Sequence, residues 1–307
     1  IRSSSSKVKM GLIFRRSFVF TLCFLLVQGQ RIAVKKCTEY QATSAAEFFG
    51  TGPKPVSVQS GCPKSDTRQP VPGELPHLVL LGWPKLDEPD QYDLQCGGAL
   101  ISDRYVLTSA QCLNREPPAI VRLAEYNLRS VDVGQVDVPV ESAVVHPEYT
   151  ASAAYNDLAL VKLSEPVTFS RLVQPACLWT EHDLNMTIMT AGFGMYDILE
   201  GDDIYLPMKE PLDVLSTQLC EKQYANLAKF PRGIIDSQLC LGGDKRKADV
   251  CLTDSGAPVQ VQTSPTTSCT YHVFGVVSTL LCDAVESPSV YTRVDSYVDW
   301  IEAIVWG

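Results

Sequence analysis

Apolar residues in this chain gather in short runs divided by turn formers, and the character of the runs changes several times. After Met10, the pair Arg15-Arg16 leads into an apolar stretch from Ser17 to Val27, followed by Gln28-Gly29-Gln30. So short a stretch does not comfortably span a bilayer. A basic start, an apolar run and a small or polar end are instead the marks of a cleaved secretory signal. Residues 1–29 therefore read as an upstream extension, Ile1 to Lys9, and a signal peptide. Residues 30–72 show little apolar periodicity and many breakers (Gly50, Gly52, Pro53, Pro55, Gly61, Pro63, Pro70, Pro72), as in a linker or a strapped-down arm.

From Gly73 onward the pattern is one of short strands. Candidates are His77–Leu81, Tyr105–Thr108, Ile120–Leu123, Leu158–Leu163, Thr187–Ala191, Val273–Ser278 and Val290–Arg293, and Asp137–Val145 alternates polar and apolar as a half-buried strand does. The last stretch is different. Val298, Ile301, Ile304 and Val305 recur at helical spacing after Asp295-Ser296, which is read as the cap. Many strands and a closing helix make residues 73–307 a β-barrel type of domain, all-β in class.

Composition narrows the function. Hydrophobic residues make up 45% of the 307, enough for a sizeable core. The net charge is −9, and Lys245-Arg246-Lys247 is too short a basic run to bind phosphates, so nucleic acid is not an expected partner. Eleven cysteines without paired C-x-x-C knuckles point to a disulfide framework in an oxidising compartment and not to a metal. Removal of the signal would take Cys23 and leave an even number. Asn185-Met186-Thr187 is an N-glycosylation acceptor in such a secreted, extracellular chain. No cofactor, metal or membrane anchor is implied.

The candidate chemistry lies in six stretches. They are Cys96-Gly97-Gly98-Ala99-Leu100-Ile101-Ser102, Val106-Leu107-Thr108-Ser109-Ala110-Gln111-Cys112, Tyr155-Asn156-Asp157-Leu158-Ala159-Leu160, Cys251-Leu252-Thr253-Asp254-Ser255-Gly256-Ala257-Pro258, Gly275-Val276-Val277-Ser278, and Pro288-Ser289-Val290-Tyr291-Thr292-Arg293-Val294 with Trp300-Ile301. In order and spacing they resemble the chymotrypsin/trypsin family of serine proteases. The resemblance is greatest to arthropod secreted clip-type proteases and their non-catalytic homologues, and it covers residues 73–307. It implies two six-stranded β-barrels with a cleft between them and a C-terminal helix. Asp157 and Ser255 match the triad aspartate and nucleophile, and Gln111 stands in the slot of the histidine. Asp249 matches the acidic base of a Lys/Arg-specific pocket, and Ser278 and Leu280 lie along the cleft wall. The implied bridges are Cys96–Cys112, Cys220–Cys240, Cys251–Cys282 and, tying the arm to the domain, Cys62–Cys177. Cys37 and Cys269 are then left to pair. With only Cys37 and Cys62 in residues 30–72, a six-cysteine clip domain is not expected there.

Four departures bear on activity. An amide at Gln111 donates and accepts hydrogen bonds but takes up no proton near neutral pH, so it does not serve as the base that a serine nucleophile needs. Thr253 replaces the glycine whose N–H helps form the oxyanion hole, and Leu280 adds bulk to the pocket wall. Upstream of Gly73 the chain reads Lys64-Ser65-Asp66-Thr67-Arg68-Gln69-Pro70-Val71-Pro72, so a cut after Lys64 or Arg68 leaves no Ile-Val-Gly-Gly start to pair with Asp254. His77, His146, His182 and His272 lie outside the catalytic motifs and are expected to be partly exposed structural residues. These features favour an inactive, secreted serine protease homologue that binds proteases or zymogens as cofactor or regulator of an extracellular proteolytic, innate-immune cascade. The alternatives are an active serine endopeptidase with Lys/Arg preference, for which Asp157, Ser255 and Asp249 speak, and an enzymatically silent structural or storage product.

Overall fold

The computed structural model describes residues 30–49, 63–88, 90–114, 116–181, 186–193, 205–242, 255–263, 270–279 and 288–307. Six antiparallel strands close the first barrel: β1 (Leu78–Pro84), β2 (Tyr92–Leu100), β3 (Tyr105–Thr108), β4 (Ile120–Leu123), β5 (Val136–Val145) and β6 (Ala159–Leu163), in the order β1-β2-β3-β6-β5-β4. Six more form the second: β8 (Ile188–Gly192), β9 (Met208–Val214), β10 (Gln238–Gly242), β11 (Pro258–Gln262), β12 (Tyr271–Thr279) and β13 (Ser289–Arg293), ordered β11-β8-β9-β10-β13-β12 and closed by pairing of β11 with β12. Two residues between the barrels, Cys177 and Leu178 (β7), lie parallel to β12. The all-β, two-barrel architecture with a closing helix is thus present.

Alternation along the strands divides the apolar side chains among separate cores. Val79, Leu81, Leu100, Val106, Val121, Leu123 and Val161 fill the first barrel, and Leu212, Leu241, Val259, Val261, Phe274 and Tyr291 fill the second. A further cluster joins Leu107, Leu158 and Leu160 of the first barrel to Val273 and Val276 of the second, to Val294, and to Val298 and Ile301 of the C-terminal helix. That shared core fixes the two barrels against each other, and with them the cleft residues they carry.

Several expectations need correction. Residues 30–72 read as a linker or a strapped-down arm without a helix, and within them Ile32–Phe49 forms one, α1, fastened to the domain by a disulfide. Its docked face consists of Ala33, Cys37 and Tyr40 at helical spacing, too few apolar positions to stand out as a periodic signal. Ala33 is buried and its N–H donates to Glu302 Oε1 at 2.9 Å, Trp306 Nε1 donates to the Tyr40 hydroxyl at 2.9 Å, and the Tyr40 ring meets Phe169 edge-on. Cys177 is bonded to Cys37 of this helix, not to Cys62, because α1 brings Cys37 to 5.2 Å (Cα–Cα) from Cys177, within disulfide reach. Pairing of Cys37 with Cys269 falls with it. Cys62, Cys269, Cys251 and Cys282 lie outside the described residues, whereas Cys96–Cys112 and Cys220–Cys240 are formed.

The closing helix (α3, Val298–Val305) follows a 3-10 turn, Val294–Tyr297, so Asp295 and Ser296 are already inside helical backbone and do not cap it. Asp295 forms an ion pair with Arg293 instead, its Oδ1 3.0 Å from Nε. A short helix that the apolar pattern missed, α2 (Thr217–Tyr224), buries Cys220 and Tyr224 one turn apart.

His77 is not partly exposed. It is buried between the barrels, bonded to Gln260 and stacked near the Tyr271 ring at 4.9 Å. Burial lowers its pKa to about 4, against a weaker opposing pull from Gln260. His272, also desolvated, is lowered to about 4.

Two measurements test this description. Peptide mapping without reduction should recover a Cys37 peptide linked to a Cys177 peptide and none joining Cys62 to Cys177. In the unfolded chain His77 binds its proton near its ordinary pKa, whereas in the fold it does so only at about 4. Stability from the neutral ring is therefore complete above the ordinary value and is lost as pH falls towards about 4. The loss amounts to about 3 kcal/mol in urea unfolding. His77→Gln should shrink the acid-side loss measured for the parent chain.

Candidate functional site

Three segments converge between the barrels. Gln111 stands in the 3-10 turn Ala110–Leu113 that follows β3, Asp157 precedes β6, and Ser255 precedes β11. Strand β12 supplies Ser278 from the second barrel. Among the matched positions, the structure therefore brings together Gln111, Asp157, Ser255 and Ser278. Asp249, Thr253, Asp254, Leu280 and Asn185 lie outside the described residues.

Asp157 is 3% exposed, and both its carboxylate oxygens are engaged. Oδ1 accepts the backbone N–H of Gln111 at 2.8 Å, and Oδ2 accepts the Ser278 hydroxyl at 2.6 Å. Its backbone carbonyl accepts Thr292 Oγ1 from β13 at 2.9 Å. Burial raises its pKa above the usual carboxylate range, and the hydrogen bonds from Ser278 and Gln111 only partly oppose that. The residue before it, Asn156, takes the left-handed region at φ 52°, a conformation that asparagine tolerates. The Asn156 side chain is fixed by donation to the Glu148 carbonyl at 3.3 Å and by acceptance from the Tyr297 hydroxyl at 2.9 Å.

The orientation of the Gln111 amide follows from its neighbours. The Ser278 carbonyl only accepts hydrogen bonds, so the amide nitrogen, not the oxygen, must face it. The same Nε2 lies 3.3 Å from Ser255 Oγ. Ser255 Oγ is thereby offered a donor where a nucleophilic serine is offered a base. Asp157, which would orient an imidazole through its ring N–H, has no such donor here and is held by main chain and by Ser278.

Ser255 is held by its own backbone. Its carbonyl accepts the Gly97 N–H at 2.9 Å, which ties the nucleophile-like turn of the second barrel to β2 of the first. Gly256 then turns the chain at φ +84°, and a Cβ there would stand 2.1 Å from Thr108 Oγ1 and 2.5 Å from the Gly97 carbonyl oxygen. Only glycine fits this approach. Sequence reasoning had placed Ser278 merely on the cleft wall and had missed Thr292 as a support. Both belong to the closing strands, and no local pattern tells which hydroxyl turns towards Asp157. Gly256→Ala should therefore destabilise the domain by roughly 3 kcal/mol or more, at the severe end for a point substitution, which a shift in thermal or urea midpoint will record.

Residues 66–301 match the sequence model of the trypsin family. Among curated proteins, the chain is similar to serine protease snk of Drosophila melanogaster, 37% identical over 296 residues, or 91% of this chain and 66% of that one. It is also similar to serine protease Hayan of the same species, 31% identical over 277 residues, or 87% of this chain and 42% of that one. Each alignment spans less than two thirds of the relative's own length. Among solved structures, the Drosophila Grass clip serine protease of the Toll pathway superposes with a TM-score of 0.64 at 25% identity, covering 86% of this chain and 77% of that one.

Proposed function

Because this chain belongs to the trypsin family and carries Gln111 where the family's base would stand, we propose that it is a non-catalytic serine protease homologue. It acts, on this reading, by binding other proteins of an extracellular proteolytic cascade. The observation that carries the proposal is the Gln111 amide, whose Nε2 faces both the Ser278 carbonyl and Ser255 Oγ. Serine attack on a carbonyl requires that its proton leave as the C–O bond forms. Here the amide nitrogen 3.3 Å from Oγ already bears protons, and a neutral amide has no affinity for another near pH 7. Loss of the base in a related triad costs about 10⁶-fold in kcat, or about 8 kcal/mol of barrier.

Three further features support the reading from the sequence: Thr253 at the oxyanion position, Leu280 in the pocket wall, and Lys64 to Pro72 in place of an apolar activation start. Disulfides agree with an oxidising, extracellular compartment. The relatives' names place them among serine proteases, and Grass in the Toll pathway, so proteases or zymogens of such a cascade are the proposed partners. The competing reading, an active Lys/Arg endopeptidase, draws on the retention of Asp157, Ser255 and Asp249.

A fluorophosphonate probe for activated serines separates the two. Purified chain should remain unlabelled at Ser255 while an ordinary trypsin labels fully, and pull-down from extracellular fluid should recover protease or zymogen partners. Gln111→His alone should leave hydrolysis of an arginyl peptide at least about 10²-fold below that of an ordinary trypsin, because the oxyanion position is also altered. Replacing Gln111, Thr253 and Leu280 by the residues of active relatives and restoring the activation start, all together, should be required. Turnover by Gln111→His near the ordinary rate would show that a single defect separates this chain from an enzyme.

A further inference from the structure

The segment before the first barrel holds a small buried ion cluster that the site described above does not use. Glu74 is 1% exposed. Its Oε2 accepts the backbone N–H of Ser65 at 2.9 Å and that of Val71 at 3.0 Å, while Oε1 pairs with Lys209 of β9. Lys209 Nζ also donates to the Ser65 carbonyl at 2.6 Å. The segment is strapped further along. Lys209 N–H donates to the Arg68 carbonyl at 2.7 Å, Arg68 Nε meets the buried Glu210 carboxylate at 2.7 Å, and Gln69 Nε2 donates to the Tyr126 hydroxyl at 3.2 Å.

Two basic residues in this segment invite a protease that cuts after Lys or Arg, and the structure treats them differently. Lys64, Asp66 and Thr67 are exposed. Arg68 is half-buried with its guanidinium on Glu210, so its side chain is withheld from an enzyme's pocket while that of Lys64 is exposed; both scissile bonds are held by hydrogen bonds, Arg68 through its carbonyl to β9 and Lys64–Ser65 through the Ser65 N–H to Glu74.

We propose that the Lys64–Ser65 peptide bond is a site of limited proteolysis and that the ammonium it releases is captured in place by Glu74. Hydrolysis breaks the bond between the Lys64 carbonyl carbon and the Ser65 nitrogen. Water supplies the hydroxyl of the new Lys64 carboxyl and a hydrogen to the Ser65 amine, which takes a further proton from solvent to become an ammonium. That nitrogen already lies at hydrogen-bond distance from Glu74 Oε2. A neutral N–H···O contact thus becomes a charge-assisted one, shielded from water by the burial of Glu74. Lys209 occupies the other oxygen, Oε1.

Travel of the new terminus to Asp254 would instead require breaking the Glu74, Lys209 and Glu210 contacts, and Ser65 has no apolar side chain to bury in return. The cut piece stays attached, because Cys37 of α1 is bonded to Cys177 beyond the cut. The inference rests on the inactive-homologue reading only in saying that cleavage does not switch the site on; the capture itself is decided by amine chemistry.

The test uses the full disulfide-bonded chain treated briefly with a Lys/Arg-specific protease. N-terminal sequencing should show a new start at Ser65, in two pieces that separate only on reduction. Acetylation by limiting acetic anhydride near pH 7, followed by mass spectrometry, should modify the Ser65 amine about tenfold more slowly than in a free peptide beginning Ser65-Asp66-Thr67, as an ion pair raising an amine pKa by about one unit requires. Glu74→Gln should restore the peptide rate, and Asp254→Asn should leave the protection intact. Cleavage at Arg68, acetylation of the parent chain at the peptide rate, or loss of protection in Asp254→Asn would each overturn the proposal. If Glu74→Gln does not fold, the parent rate and Asp254→Asn still decide. A rise in arginyl-peptide turnover with Ser65 still protected would overturn the inactive reading and leave the capture standing.

Discussion

The joint between the barrels depends on one buried carboxylate. Asp157 is reached by a main-chain N–H from the turn after β3, by a hydroxyl from β12 and, at its carbonyl, by a hydroxyl from β13. A buried anion without partners would be strongly destabilising, so each of these donors is held where it stands by the cost of withdrawing it. The apolar cluster that spans both barrels supplies the bulk of the attraction, being non-directional, while Asp157 sets the angle and register of the contact. None of this needs an imidazole. The aspartate retains a structural role in the joint whatever side chain occupies position 111, so its presence in the sequence is not by itself a sign of turnover.

The same separation runs through the rest of the site. Gly256 and Gly97 are demanded by close backbone approach between the barrels, and Ser255 is positioned through its carbonyl, independently of its hydroxyl. Among the described residues, the contacts that shape the cleft are therefore independent of a proton acceptor at position 111. Each barrel is also braced by its own bridge.

Strands with strong β-branched runs were legible in sequence: Tyr105–Thr108 and Ile120–Leu123 fall within their observed limits. Strands β2, β9 and β10 were not, because Gly97-Gly98, Pro211 and Gly242 interrupt the apolar pattern and their pairing is settled by neighbours distant in sequence. Helix α1 escaped for a related reason. Its stability comes from one cystine, one tyrosine and contacts to the chain's far end, none of which appears as periodicity. In the site, residue identities at 111, 157 and 255 were readable from motif spacing, whereas the direction of the Gln111 amide was not. It is imposed by a carbonyl 167 residues away. Glu74 and Lys209 were silent for the same reason, each being an ordinary charged residue until the fold buries them together.

The bridge from Cys37 to Cys177 closes a loop with a sequence separation of 140, against 16 for Cys96–Cys112 and 20 for Cys220–Cys240. Closing the longer loop costs about 2 kcal/mol more in chain entropy than closing the shortest. The other contacts of α1 given above, to Phe169, Glu302 and Trp306, also lie far along the sequence. The two short bridges each brace one barrel from within, whereas the long one fastens the arm to the domain. Reduction of Cys37–Cys177 alone would therefore remove the covalent tie of α1 and leave each barrel its own bridge.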